Sequence, residues 1–111
     1  MEQQVQQLSD WLNTQVNKTI LIEKQELSDT DTIHFKLEGV DYRDADDVID
    51  DYLDSALILR GSGSTLNRDG ELVRLPQTNF EIAVSGLRLN RSDAEAAEVK
   101  TDRAHYTLSK E

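Results

Sequence analysis

Hydrophobic positions recur with a helical period in two stretches of the chain, one at its start and one near its middle. In residues 2–17 the apolar side chains are spaced three or four residues apart, and glutamines cover the opposite side. Residues 44–57 show the same spacing, with aspartates opposite the apolar stripe. Aspartates three or four residues apart repel each other, so the second helix requires a sheet on which its apolar stripe is buried. We therefore predict two amphipathic helices.

Residues 19–22 are β-branched and apolar, and the later hydrophobic stretches mostly alternate between apolar and polar residues. Both patterns are typical of strands. The tetrapeptide Asn67-Arg68-Asp69-Gly70 predicts a tight hairpin turn. A change of parity at Gly86 predicts a bulge or kink within the longest strand. Residues 90–102 fit either a loop or one or two helical turns. The predicted strands are 19–25, 32–37, 56–60, 71–75, 80–89 and 103–108.

These elements follow the order α-β-β-α-β-β-β-β and predict a single domain over residues 1–111. Short connections between strands favour antiparallel neighbours. The expected fold class is α+β, with a mostly antiparallel sheet of about five to six strands and both helices packed on one face. We expect Trp11, the only tryptophan, to anchor the core with its N–H bonded to a partner.

Acidic residues outnumber basic ones by 22 to 12, and the formal net charge is −10. Because phosphate contacts dominate nucleic-acid affinity, we expect no nucleic-acid partner. The first residues lack the basic and apolar regions of a signal peptide, and no apolar run has the length of a membrane span. These features predict a cytoplasmic protein without membrane association. The absence of cysteine excludes disulfides and thiolate chemistry.

The aspartates of the second predicted helix form the leading candidate site. A calcium loop of the EF-hand type that started at Asp44 would place Val48, Ile49 and Ser55 where an oxygen ligand, a glycine and a glutamate are needed. We therefore expect no metal and no other cofactor. The acidic face is either simply solvated or a docking face for a basic protein surface, and we hypothesise the second. The residues of this face are Asp46, Asp47, Asp50, Asp51 and Asp54.

Arginines on the later strands form the alternative candidate site, for a small molecule or an anion. They bind such a ligand only if they share the outer face of the sheet, near the glycine- and serine-rich residues 61–65. The competing interpretation is cross-strand pairing with Glu71 and Glu81. Residues 61–65 lack the lysine of a phosphate-binding loop, so an irregular strand is the favoured interpretation there. The arginines are Arg60, Arg74 and Arg88.

His34 and His105 are the only histidines, and both are predicted on the outer side of their strands. Two imidazoles that were neighbours across the sheet could hold a metal with a carboxylate, but surface positions are the favoured interpretation. No serine lies in a nucleophile motif, and no histidine has an evident orienting acid. The sequence therefore identifies no enzyme and no catalytic residue, and it favours a non-catalytic interaction domain.

Overall fold

The computed structural model describes residues 2–44 and 55–111, which form one helix and eight strands. In chain order the elements are α1 Gln3–Asn13, β1 Thr19–Glu26, β2 Asp29–Arg43, β3 Ala56–Leu66, β4 Leu72–Arg74, β5 Asn79–Ala83, β6 Arg88–Ser92, β7 Ala96–Lys100 and β8 His105–Lys110. The described chain is thus mostly β, and its first helix and first hairpin lie where the hydrophobic pattern predicts them.

All eight described strands belong to one sheet, and every pairing in it is antiparallel. The order across the sheet is β4-β3-β2-β1-β8-β7-β6, and β5 pairs with the first half of β3. Neighbouring strands are mostly joined by hairpins, as short connections predict. Two described pairings join strands that are not consecutive in the chain, namely β3 with β5 and β1 with β8. In the pairing of β1 with β8, Ile22 lies opposite Leu108. The pairing of β1 with β8 joins the early and late parts of the chain at the centre of the sheet.

The hydrophobic core lies on one face of the sheet, where alternate residues of the strands point inward. Ile20 and Ile22 of β1 are fully buried there. The Phe80 ring of β5 contacts the rings of Phe35 in β2 and Tyr106 in β8, each with centroids 6.4 Å apart. Because β5 and β8 are far apart in the strand order, the second contact requires the sheet to curl around the core.

The helix α1 covers one end of this curled sheet. Glu2 caps its first turn, since the Glu2 carboxylate accepts hydrogen bonds from the backbone N–H groups of Gln4 and Val5. Gln4 also connects the helix to the sheet, because its side-chain oxygen accepts a hydrogen bond of 2.8 Å from the backbone N–H of Leu89 in β6. The apolar stripe of the helix faces the core, and its buried members are Val5, Leu8, Trp11 and Leu12.

The strand β3 extends beyond its predicted end at residue 60 and runs through the glycine- and serine-rich residues, with an irregular pairing to β2 at that point. Leu37 of β2 lies opposite Gly61 of β3, next to a shift in register between Leu37 and Gly39. A Cβ on Gly61 would lie only 1.9 Å from the carbonyl oxygen of Lys36. The glycine therefore lets two strands approach each other more closely than a side chain allows, and the ladder continues past it.

The prediction of an α+β fold with two helices packed on a sheet is also wrong. The described residues on both sides of 45–54 are strands, because Asp41–Arg43 complete β2 and Ala56–Leu59 begin β3. Arg43 lies opposite Ala56, and the Asp41 carboxylate pairs with Arg60 at 2.6 Å. Strand neighbours on both sides of β3 satisfy the backbone groups that the helix prediction assigned to a helix. The rest of that predicted helix, residues 45–54, lies outside the described residues.

The later part of the chain also differs from the prediction. The predicted strand 80–89 is two strands, β5 and β6, with a turn between them at Gly86, whose φ of 69° favours glycine. Residues 96–100 form the strand β7 and not a helical turn. The turn before β7 is closed by Asp93, whose side chain accepts hydrogen bonds from the backbone N–H groups of Glu95 and Ala96.

Candidate functional site

A cleft of about 770 Å³ lies between α1 and the hairpin formed by β6 and β7. Its walls include the apolar side chains of Trp11, Leu89 and Ala94, together with several polar and charged groups. Pockets for small molecules typically enclose roughly 300–1,000 Å³ and combine apolar walls with a few polar groups. The cleft therefore has the size and composition of a small-molecule site.

Trp11 forms the wall of the cleft on the helix side. Its indole N–H donates a hydrogen bond of 2.7 Å to the backbone carbonyl of Asp93, and only 6% of the residue is exposed. This bond connects α1 directly to the β6–β7 turn. The prediction of a core anchor with a bonded N–H is therefore confirmed, and the position of the ring is fixed by a partner far away in the sequence.

Asp93 stabilises the opposite wall. One carboxylate oxygen accepts the backbone N–H groups of Glu95 and Ala96, at 2.8 and 3.0 Å, and the other accepts Nε of Arg91 at 2.6 Å. The hydrogen bond from Arg91 and those from the two backbone N–H groups lower the pKa of Asp93. Both oxygens are thus used by the hairpin itself, and the positive charge of Arg91 offsets the negative charge of this carboxylate.

Gln15, just after the end of α1, is the most unusual polar residue of the cleft, because it is only 2% exposed. The Thr14 hydroxyl donates a hydrogen bond of 2.5 Å to the backbone carbonyl of Trp11. Because its proton is used in this way, the Thr14 hydroxyl oxygen accepts a hydrogen bond of 2.9 Å from the Gln15 Nε2 group. This arrangement fixes the orientation of the Gln15 amide. Its oxygen, Oε1, is buried and has no hydrogen-bond partner among the described residues.

Three charged side chains line the cleft in addition to Asp93. Lys18 and Lys110 are exposed, and neither forms an ion pair with an acidic residue of the described chain. Asp10 is also exposed, and one of its oxygens accepts the side-chain N–H of Gln6 at 2.8 Å. After the neutralisation of Asp93 by Arg91, two positive charges and one negative charge remain around the cleft.

The predicted acidic docking face lies outside the described residues. Its five aspartates fall within residues 45–54, which connect Arg43 at the end of β2 to Ala56 at the start of β3. The docking face thus stays a prediction. Its residues are Asp46, Asp47, Asp50, Asp51 and Asp54.

The three arginines of the alternative site are spread over the sheet. Arg60 lies on β3, Arg74 on β4 and Arg88 on β6, and β4 and β6 are at opposite ends of the strand order. Arg74 lies opposite Ser64, four residues further along β3 than Arg60, which corresponds to roughly 13 Å. Arg60 is paired with Asp41 at 2.6 Å. Anion binding by all three together has no support from this placement.

The two histidines lie on either side of β1 but at different heights. His34 is opposite Leu21, whereas His105 is opposite Gln25, so they are separated by roughly 13 Å along the strand direction. Each has its own carboxylate neighbour, since His34 Nδ1 lies 2.8 Å from Glu111 and His105 Nε2 lies 3.1 Å from a glutamate of β7. Within residues 2–44 and 55–111 no group of three His, Asp or Glu side chains is arranged to hold a metal ion.

The sequence interpretation did not find the cleft, although one signal for it was present. Gln15 lies three residues after Leu12 and four after Trp11, which places it on the apolar stripe of the predicted first helix. A polar residue on such a stripe indicates either a buried hydrogen-bond network or a site. The two lysines gave no signal, because Lys18 and Lys110 become neighbours of the same cleft only through the pairing of β1 with β8.

Residues 2–44 and 55–111 define a small, mostly antiparallel β domain in which one helix lies beside a cleft of small-molecule size. The sequence profile of the family described as YmzB-like protein matches residues 1–111, and the chain belongs to this family. It is similar to the protein named Uncharacterized protein YmzB of Bacillus subtilis strain 168. The two are 37% identical over 108 residues, which cover 92% of this chain and 91% of that protein.

These comparisons leave the biochemical role open, since neither description states an activity. No solved structure matches the chain. In the described ranges, no helix has both the length and the apolar composition that crossing a membrane requires. The role of the protein must therefore be argued from the cleft itself.

Proposed function

We propose that the protein binds a small molecule in the cleft between α1 and the β6–β7 hairpin. The observation that carries this proposal is the Gln15 oxygen, which is buried beside the cleft without a partner among the described residues. An unpaired buried acceptor costs about 1–3 kcal/mol, and buried polar groups in folded proteins are nearly always paired. A small shift of the Gln15 side chain towards the cleft would let a hydrogen-bond donor of a ligand pair this oxygen.

The construction of the cleft walls supports the same proposal. The Trp11–Asp93 hydrogen bond joins the helix to the hairpin, and the Asp93 carboxylate fixes the turn of that hairpin. Both walls are therefore held in place by contacts that do not involve a ligand. A site that exists before binding avoids the loss of conformational entropy that would otherwise oppose binding.

The proposal is tested by screening a library of small fragments against the full chain with amide and indole NMR signals. Trp11 gives the only indole N–H signal of the protein, and it lies in the cleft wall. We expect some fragments to shift this signal together with the backbone amide signals of Leu89 and Ala94. The variant Ala94→Phe fills the cleft from an exposed position, so it should remove these shifts without changing stability by more than about 0.5 kcal/mol.

The matched control is Ser28→Phe, which adds the same ring at an exposed position of the β1–β2 turn, away from the cleft. It should leave fragment binding unchanged. The proposal fails if no fragment shifts the three signals of the cleft. It also fails if Ala94→Phe binds the fragments as well as the original protein does.

A second candidate function, contact with a basic protein surface, is favoured by the concentration of charge in residues 45–54. These residues include five aspartates and no basic residue. Such a cluster costs stability through repulsion and accelerates association with a positively charged partner. Its test is a binding titration with oligolysine peptides at low and high ionic strength.

For this second candidate, Asp50→Asn combined with Asp51→Asn should weaken oligolysine binding severalfold at low salt. The control Asp29→Asn combined with Asp31→Asn removes the same charge from exposed positions of β2 and should have a smaller effect. Equal effects of the two double variants would show that only net charge matters, and the proposed acidic docking face would then be wrong.

A further inference from the structure

We infer that the ligand of this cleft is a small organic anion that also carries an N–H or O–H donor. The inference rests on the proposed binding function and adds the chemical class of the ligand. It combines the buried amide of Gln15, the two unpaired lysines of the cleft and the apolar side chains that line it. No described protein group pairs with the Gln15 oxygen or with either lysine.

We infer a hydrogen-bond donor on the ligand from the orientation of the Gln15 amide. Its Nε2 group is used by Thr14, whose own hydroxyl proton is used by the carbonyl of Trp11. The free group is therefore an oxygen that can only accept a hydrogen bond. A ligand that presented an acceptor at this position would be repelled, so the matching ligand atom must carry a hydrogen.

We infer a negative charge on the ligand from the charged side chains that line the cleft. Lys18 and Lys110 come from opposite ends of the chain and line the same cleft without acidic partners among the described residues. Asp93 is compensated by Arg91, which leaves Asp10 as the remaining negative charge of the walls. In a protein with a net charge of −10, this is a local positive region that favours an anion with a single charge.

We infer an apolar ring system in the ligand from the apolar walls of the cleft. Trp11, Leu89 and Ala94 provide carbon surface in the same cleft as the charged groups and the amide. The volume of about 770 Å³ accommodates one or two fused rings. The ligand therefore combines a compact ring system, one acidic group and one polar hydrogen.

Three probes that differ in one feature each test this inference. Indole-2-carboxylate has the ring, the anion and the N–H donor. Benzofuran-2-carboxylate lacks the donor, and indole-2-carboxamide lacks the negative charge. In NMR titrations of the full chain, followed at the Trp11 indole signal, indole-2-carboxylate should bind at least about tenfold more tightly than either analogue.

Two variants connect each preference to its residue. Gln15→Met should abolish the preference for indole over benzofuran and keep the preference for the anion. Lys110→Gln should reduce the preference for carboxylate over carboxamide, whereas the control Lys100→Gln, an exposed lysine of β7 that does not line the cleft, should keep it.

Two results would overturn the inference, and they separate it from the underlying function. If neutral fragments shift the Trp11 signal but indole-2-carboxylate binds no better than its analogues, the ligand class is wrong while the cleft remains a binding site. If neither the three probes nor any library fragment shifts that signal, the proposed function and the ligand class are both wrong.

Discussion

Replacing Gln15 by methionine should stabilise the protein in the absence of ligand. Methionine is also unbranched and similar in length, so it fills the same space without leaving a cavity. The change removes an unpaired buried acceptor, which costs about 1–3 kcal/mol, and loses the hydrogen bond to Thr14, which contributes about 0.5–1.5 kcal/mol. The expected net gain in the free energy of unfolding is therefore about 1 kcal/mol.

The assay is urea unfolding followed by the fluorescence of Trp11, the single tryptophan, which is 6% exposed in the folded state. For a domain of this size, a gain of about 1 kcal/mol raises the urea midpoint by roughly 0.5–1 M with an unchanged slope. The matched control is Gln7→Met, at an exposed position of the same cleft, which should change stability by less than about 0.5 kcal/mol.

A loss of more than about 1 kcal/mol in Gln15→Met would refute the reasoning, because it would mean that the Gln15 oxygen accepts a strong hydrogen bond in the unliganded protein. The same variant binds ligand less well if the proposed function is correct. Higher stability combined with weaker binding is the pattern expected of a residue that is kept for function rather than for folding.

Two further predictions concern the structure around the site. Gly61→Ala should lower the free energy of unfolding by at least about 3 kcal/mol, because its Cβ would lie 1.9 Å from the backbone oxygen of Lys36. The control is Gly70→Ala, because Gly70 has a φ of 80° and open space around it; this change should lower the free energy of unfolding by only about 1–2 kcal/mol. Equal urea midpoints for the two variants would contradict the close approach of β2 and β3. The pKa of Asp93 is lowered in the folded protein, mainly by the hydrogen bond from Arg91. The ionised carboxylate therefore stabilises the fold at pH values above its unfolded pKa of about 3.9. This stabilisation is lost as the pH falls through the lower pKa of the folded state. The stability difference between the original protein and Asp93→Asn should therefore shrink from about pH 6 towards pH 2, and a constant difference would disprove this role.

Elements with a local signal could be predicted from the sequence. The β-branched and apolar residues 19–22 predict β1, and the turn at Asn67–Gly70 predicts the hairpin of β3 and β4, both of which the structure confirms. The helix α1 has a regular apolar stripe, and its role in the core is also confirmed. In each case the residues that determine the element are close together in the chain.

The second helix was predicted from a pattern that also fits a strand. Leu57 and Leu59 are separated by one residue, and both are fully buried on the core face of β3. Leu57 also continues the helical spacing of the preceding aspartate-rich segment, four residues after Leu53, whereas Leu59 does not. The strand is selected by pairing with β2 and β5, which are distant partners that a local pattern does not contain.

In the cleft, too, features set by nearby residues were predictable and contacts between distant residues were not. Trp11 was predicted as an anchor from its place on the helix, and Gln15 shares that stripe. What could not be predicted is which distant residues join these two in the cleft, because Asp93 and Lys110 reach it only after the sheet has formed. A site assembled from several parts of the chain depends on strand register, which composition and spacing do not specify.

The hydrogen bond between Gln4 and Leu89 has a consequence for self-assembly. An outermost strand with free N–H and C=O groups is a template on which identical chains add to form fibrils. Here a glutamine side chain blocks part of that template on β6, while β4 at the opposite rim has only three residues, followed by Pro76 two positions later. The outer edges of β6 and β4 are therefore poor starting points for polymer growth, and a chain without α1 should form fibrils much more readily than the intact protein.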